Sequence, residues 1–163
     1  MAVRIMITGG TFDKVYDEIS GKLYFRDSHV KEMLDLGRCR LPVEIRTLML
    51  IDSLEMTEQD RRLILENCQN VPEERIVITH GTDTMVETAR ILAGEIRGKT
   101  IVLTGAMIPI AFGSSDGLFN MGGALTAVQI LPPGVYIVMN GRVFSWDKVR
   151  KNRETGIFEP RSL

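Results

Sequence analysis

The sequence predicts a doubly wound, three-layer α/β/α domain with a mainly parallel sheet. Three observations predict it: short apolar runs alternate with amphipathic stretches, the runs are apolar at successive positions, and turns rich in Gly and Thr follow them. A strand that is apolar at every position is buried on both faces, as a parallel strand between two helix layers must be. With 163 residues, 44% of them hydrophobic, the chain is the size of one ordinary domain and can bury a core without metal or disulfide staples.

Taken in order, Val3 to Thr8 is a buried strand running into Gly9-Gly10. Ser28 caps a short helix with Val30, Met33 and Leu34 on one face, Gly37 stops it, and Val43 to Ile51 is the next strand. Thr57 opens a second helix, in which Leu63, Ile64 and Cys68 recur at helical spacing; Val71-Pro72 ends it before the strand Arg75 to Thr79. Thr84 and Glu87 form an expected capping box for a third helix striped by Met85, Ala89, Leu92, Ala93 and Ile96, and Gly98 terminates it. Strand Thr100 to Leu103 follows. Ser115 or Asp116 caps a last helix with Phe119, Leu125 and Val128, whose Gly122-Gly123 pair costs about 1 kcal/mol per glycine and predicts close packing against a neighbour. Pro132-Pro133 breaks that helix and Val135 to Met139 returns as a strand.

Several function classes are excluded as expectations. A net charge of −1 creates no field to gather a polyanion, and the longest mostly apolar stretch, Ile101 to Phe112, is interrupted by Thr104, Gly105 and Pro109. Neither a nucleic-acid nor a membrane partner is expected. The first residues lack a signal-peptide core, which predicts a cytoplasmic protein. Cys39 and Cys68 are isolated, and His29 and His80 have no Cys or His at metal-ligand spacing, so inert thiols, no metal and no cofactor are expected.

The informative residues lie at the carboxyl ends of the strands, where ligands of such sheets bind. Thr8-Gly9-Gly10-Thr11, Thr79-His80-Gly81-Thr82-Asp83-Thr84 and Thr104-Gly105-Ala106-Met107 bring hydroxyls and glycines to one rim. Singly, each is an ordinary strand-to-helix turn; the convergence of three points to a site. Nucleotide binding is excluded: no GxGxxG follows the first strand. Gly98-Lys99-Thr100 has the end of a phosphate loop, but Ala93 stands at the required first glycine and the segment follows a helix instead of a strand.

These motifs resemble the amino-terminal domain of the bacterial-type L-asparaginases, amidohydrolases that release ammonia from asparagine. Thr8-Gly9-Gly10-Thr11 is similar to the family's first threonine motif, and His80-Gly81-Thr82-Asp83-Thr84 with Glu87-Thr88 to its second. Gly105-Ala106-Met107 with Asp116-Gly117 and Asn120 is similar to the third, and Asp52-Ser53 with Glu55-Met56-Thr57 to the segment that holds the substrate's carboxylate. The resemblance spans nearly the whole chain in the family's order.

It implies a nucleophilic Thr11, supported by Tyr16 or by the competing Tyr24, and a second threonine, Thr82, with Lys99 as its lysine partner. It also implies a substrate pocket of Gly10, Ser53, Gly81 and Asp83, with Ser53 on the carboxylate and Asp83 on the α-amino group. A threonine hydroxyl needs a neighbour to take its proton, and a desolvated lysine can do so. Which threonine attacks stays open. The implied reaction is acylation of the enzyme by the side-chain amide, loss of ammonia and hydrolysis to aspartate, with the Thr82 N–H stabilising the oxyanion. The substrate is L-asparagine, with L-glutamine as the other amide. A non-catalytic Asn/Asp-binding module or an amidotransferase component is the rival reading.

Two departures from the family pattern stand out. The position after Met107, usually arginine, is Ile108. The family's second domain, which the resemblance implies completes a neighbouring subunit's active site, is expected to be absent, as in a naturally short enzyme or else a fragment of a longer protein: residues 1–141 are expected to form the α/β domain and 142–163 a basic tail with six Lys+Arg against three Asp+Glu. A homo-oligomer, dimer or tetramer, is therefore expected.

Overall fold

The computed structural model describes residues 1–162. Its strands are β1 (Val3–Gly9), β2 (Lys14–Asp17), β3 (Lys22–Phe25), β4 (Val43–Ile51), β5 (Arg75–Thr79), β6 (Thr100–Thr104), β7 (Gly134–Met139), β8 (Arg142–Ser145), β9 (Val149–Asn152) and β10 (Ile157–Pro160). Its helices are α1 (Val30–Leu36), α2 (Glu58–Asn70), α3 (Met85–Glu95) and α4 (Gly117–Ile130). One sheet has the order β4-β1-β5-β6-β7-β8, parallel throughout except for β8, and β2–β3 and β9–β10 are separate antiparallel hairpins. Among the described residues no helix is long and apolar enough to cross a membrane.

The continuous apolar runs have the expected cause. In β5, Ile76 and Ile78 pack on one side of the sheet with Ile64, Cys68 and Leu92, while Val77 packs on the other with Met33, Leu125 and Val128. β6 repeats the division, with Ile101 and Leu103 on the first side and Val102 on the second. Each fully buried Leu or Ile contributes about 1.5–3 kcal/mol, so the two apolar layers fix the register of the central strands and the position of their carboxyl ends. Burial also pushes the Cys68 thiol up to about 12, consistent with an inert thiol.

Several local expectations need correction. Thr57 caps α2 in a reciprocal box with Asp60, but Thr84 makes no cap to α3: its hydroxyl donates to Ser53 O at 2.9 Å and accepts from Arg61 at 2.9 Å. A buried guanidinium and the Ser53 carbonyl, which also accepts the Met56 N–H at 3.3 Å, compete more strongly for that hydroxyl than the helix end does. Gly123 makes ordinary contact with Val138, whereas Gly122 faces open space, so only one of the pair packs closely within the chain. The stretch expected as a tail is folded, because β8 closes the main sheet and β9–β10 form a hairpin joined by a left-handed Gly156. The hairpin β2–β3, paired from Lys14↔Phe25 to Asp17↔Lys22, is likewise an element that the sequence pattern does not announce.

Candidate active site

Glycine contacts draw the rim loops together. Gly10 has φ 77°, and a methyl group there would collide with the Gly81 backbone; a methyl on Gly81 would collide with Ser53, and one on Gly105 with the His80 carbonyl. Only residues without Cβ let these backbones touch. Thr11 and Thr82 thus each follow directly on the Gly10–Gly81 contact, and Ser53 lies against the same point.

A buried polar network supports the rim. Arg61, 5% exposed, donates to Thr88 Oγ1 at 3.1 Å, Met56 O at 3.1 Å and Thr84 Oγ1 at 2.9 Å, with Glu87 at 3.4 Å. His80 is fully buried: its Nδ1 lies 2.7 Å from Gly81 O and its Nε2 2.8 Å from Thr88 Oγ1. A neutral ring donating from Nδ1 and accepting at Nε2 satisfies both contacts. Burial lowers its pKa to about 4, with the nearby Arg61 adding to that effect and the Gly81 bond opposing it, so His80 is a neutral structural residue at physiological pH. Asp116 accepts from the Met107 and Ile108 N–H groups at 3.1 Å, and Asn120 donates to Gly105 O at 2.8 Å, which fixes the third loop.

The lysine beside Thr82 is not the expected Lys99 but Lys151. Lys99 stands just ahead of β6, at the opposite end of that strand from the rim, and its ammonium donates to Cys68 O at 2.8 Å and Val71 O at 2.5 Å. These are carbonyls at the end of α2, where positive charge is favoured. A five-residue strand separates the two ends by roughly 16 Å, too far for a side chain to cross within the sheet. Lys151, from β9, takes the place beside Thr82. Its ammonium lies 2.7 Å from both Thr82 Oγ1 and Asp83 Oδ1, with the side chain only 9% exposed. Arg153 adds a bond to Asp83 O at 3.2 Å. The hairpin reaches the site because Gly156 lets the chain close over Met107.

The other expected residues are distributed as follows. Ser53 sits at the rim but is 2% exposed, its Oγ accepting the Thr84 N–H at 3.3 Å. Before it, Asp52 pairs with Lys14 at 2.6 Å. Against the effect of its partial burial, Lys14, the Leu54 N–H and the charge of Lys151 hold the Asp52 carboxyl below its ordinary value. Tyr16 is half exposed, and its hydroxyl lies over Gly21 at the tip of the β2–β3 hairpin. Tyr24, on the opposite face of that hairpin, lines a recess with Val15, Arg26, Asp27 and His29.

Sequence reasoning missed Lys151 and Lys14. A turn signal, Asn152 to Gly156 between two short runs, marked the Lys151 hairpin, and the excess of basic residues hid it as a solvated segment. Among the described residues no group of His, Cys, Asp and Glu is arranged to hold a metal ion.

The family model for the N-terminal domain of asparaginase matches residues 2–158. L-Asparaginase of Thermococcus kodakarensis is 29% identical over 164 residues, covering 96% of this chain and 49% of the relative. The structure of that thermostable enzyme superposes with a TM-score of 0.86 over 98% of this chain and 51% of the other. L-Asparaginase I of Vibrio cholerae, 28% identical, superposes with a TM-score of 0.79 over 99% of this chain and 52% of its own. A glutamyl-tRNA(Gln) amidotransferase component of Methanococcus vannielii is 32% identical over 151 residues, 86% of this chain and 34% of the relative. The chain thus spans about half the length of the asparaginases it matches.

Proposed function

Because the chain belongs to the asparaginase family through that family's N-terminal domain, we propose that it hydrolyses a side-chain amide, that of L-asparagine, through a covalent acyl-enzyme. The observation that carries the reading is the joining of two threonine loops at the Gly10–Gly81 contact, with the Lys151 ammonium 2.7 Å from the Thr82 hydroxyl.

Thr11 Oγ attacks the amide carbon. Lys151 donates into the Thr82 oxygen, so the Thr82 proton is free to pass to the departing amide nitrogen while the Thr11 proton replaces it. One C–O bond forms, the C–N bond breaks and ammonia leaves. A water polarised by the same Thr82–Lys151 pair then cleaves the ester, releasing aspartate and restoring the Thr11 hydroxyl. The Thr82 N–H, in the loop ahead of α3, faces the developing oxyanion, and one such donor is worth on the order of 3 kcal/mol. Asp83 takes the substrate's α-ammonium, and the Ser53 hydroxyl takes the carboxylate. Lys151 takes the role the resemblance gave to Lys99.

The rim exposes Leu54 (61%), Met107 (41%) and Ile108 (43%), apolar side chains beside Ser53 and Thr82. Such a patch is a surface for association, and it supports closure of the site by another copy of the chain. Trapping tests the chemistry: after rapid acid quench with L-asparagine, an aspartyl ester is expected on the peptide containing Thr11. An ester on the Thr82 peptide instead would reverse the assignment of the nucleophile.

A further inference from the structure

We propose that Asp13 is a positioning residue for Thr11: its charged carboxylate ties the turn that carries the nucleophile to the start of α1. The proposal rests on Thr11 being the attacking group.

Thr11, Phe12 and Asp13 form one 3-10 turn, with the Asp13 N–H bonded to Gly10 O at 3.2 Å. The turn is clamped at both ends. At Gly10 its backbone touches Gly81, and at Asp13 the carboxyl Oδ1 accepts the His29 N–H at 2.8 Å and the Ser28 hydroxyl at 3.3 Å. Thr11 stands between the clamps. Asp13 is fully buried, and among the described residues neither its Oδ2 nor the Nδ1 of His29, which lies 3.7 Å from Oδ1, has a hydrogen-bond partner. A buried carboxyl with one oxygen unsatisfied is costly to the fold. An asparagine would accept the same N–H without the charge, so the fold alone gives no reason for an acid. A carboxylate, however, makes bonds roughly twice as strong as a neutral acceptor does, and so holds the turn more tightly.

The groups facing this carboxyl can be named. His29 faces it from the N-cap of α1, with Arg26 and Asp27 beside His29 around the recess that Tyr24 lines. Lys14, next along the chain, is turned to Asp52, and the turn Ile110–Phe112 packed against Thr11–Asp13 carries no ionisable side chain. Burial pushes the Asp13 carboxyl above its ordinary value, the His29 and Ser28 hydrogen bonds opposing. Protonation therefore loosens the clamp at a pH above the ordinary aspartate value.

The test uses the full chain labelled with nitrogen-15, following the Thr11 amide signal from about pH 4 to pH 8 alongside kcat and KM for L-asparagine. The Thr11 signal is expected to titrate with a midpoint above about 4, the ordinary aspartate value. That titration should vanish in Asp13→Asn and persist in His29→Gln. In parallel, kcat of the wild type should fall on the acid side at nearly constant KM. Asp13→Asn should flatten that limb, and Asp13→Ala should lose on the order of 10²-fold in kcat, the cost typical of a misplaced reacting group. A Thr11 signal that does not titrate, one that titrates unchanged in Asp13→Asn, or full kcat in Asp13→Ala would overturn the proposal. Should the wild type release no ammonia at all, the catalytic reading fails, and the amide titration still decides whether Asp13 governs the turn.

Discussion

The Lys151 ammonium lies 2.7 Å from the Thr82 hydroxyl, across 69 residues of chain, and no other lysine occupies that position among the described residues. The pairing depends on β9–β10 folding back over the rim. It makes Lys151→Met the informative substitution: kcat for L-asparagine should fall about 10²–10⁴-fold, the range for loss of an acid–base group, with the folded circular-dichroism spectrum retained. A variant with wild-type kcat would remove Lys151 from the mechanism.

Lys99 should behave in the opposite way. Its ammonium satisfies two carbonyls at the end of α2, so Lys99→Met should lower unfolding stability by about 1–2 kcal/mol, read by urea denaturation, and leave kcat unchanged.

Gly10 combines a left-handed φ of 77° with backbone contact to Gly81, so Gly10→Ala is strained twice. It should cost about 1–3 kcal/mol in stability and displace Thr11, so that kcat falls further than the loss of folded protein explains. Gly122→Ala is the matched control, since its site faces open space within a helix; it should gain about 1 kcal/mol.

His80 predicts the acid sensitivity of the fold. Its pKa is lowered to about 4 in the folded chain, against an ordinary value near 6.5, so the unfolded state binds the proton first as pH falls. The stability from keeping the ring neutral is complete above about pH 6.5 and is lost as pH falls towards 4, on the order of 3 kcal/mol in all. Denaturant unfolding at pH 7 and pH 5 should show this slope in the wild type and a shallower one in His80→Gln.

What was legible in the sequence was set by local chemistry. The central strands announce themselves because Ile76 to Ile78 and Ile101 to Leu103 must be apolar on both faces, and α2 announces itself through the Thr57 cap. The rim loops were legible for the same reason, as glycines and threonines directly after those strands. The Thr82 partner was not: a lysine's neighbours depend on where its hairpin folds, and Lys99 and Lys151 each stand at a strand with nothing local to separate them. Thr84 shows the same limit, since its hydroxyl turns to Ser53 and Arg61, groups distant in sequence, in place of the helix end beside it.

Ammonia release from L-asparagine by the purified chain and by Thr11→Ala tests the central claim most directly. The account predicts steady turnover to aspartate and ammonia in the wild type and its loss in Thr11→Ala while ligand binding persists. Binding without turnover in the wild type, or turnover undiminished in Thr11→Ala, would contradict it.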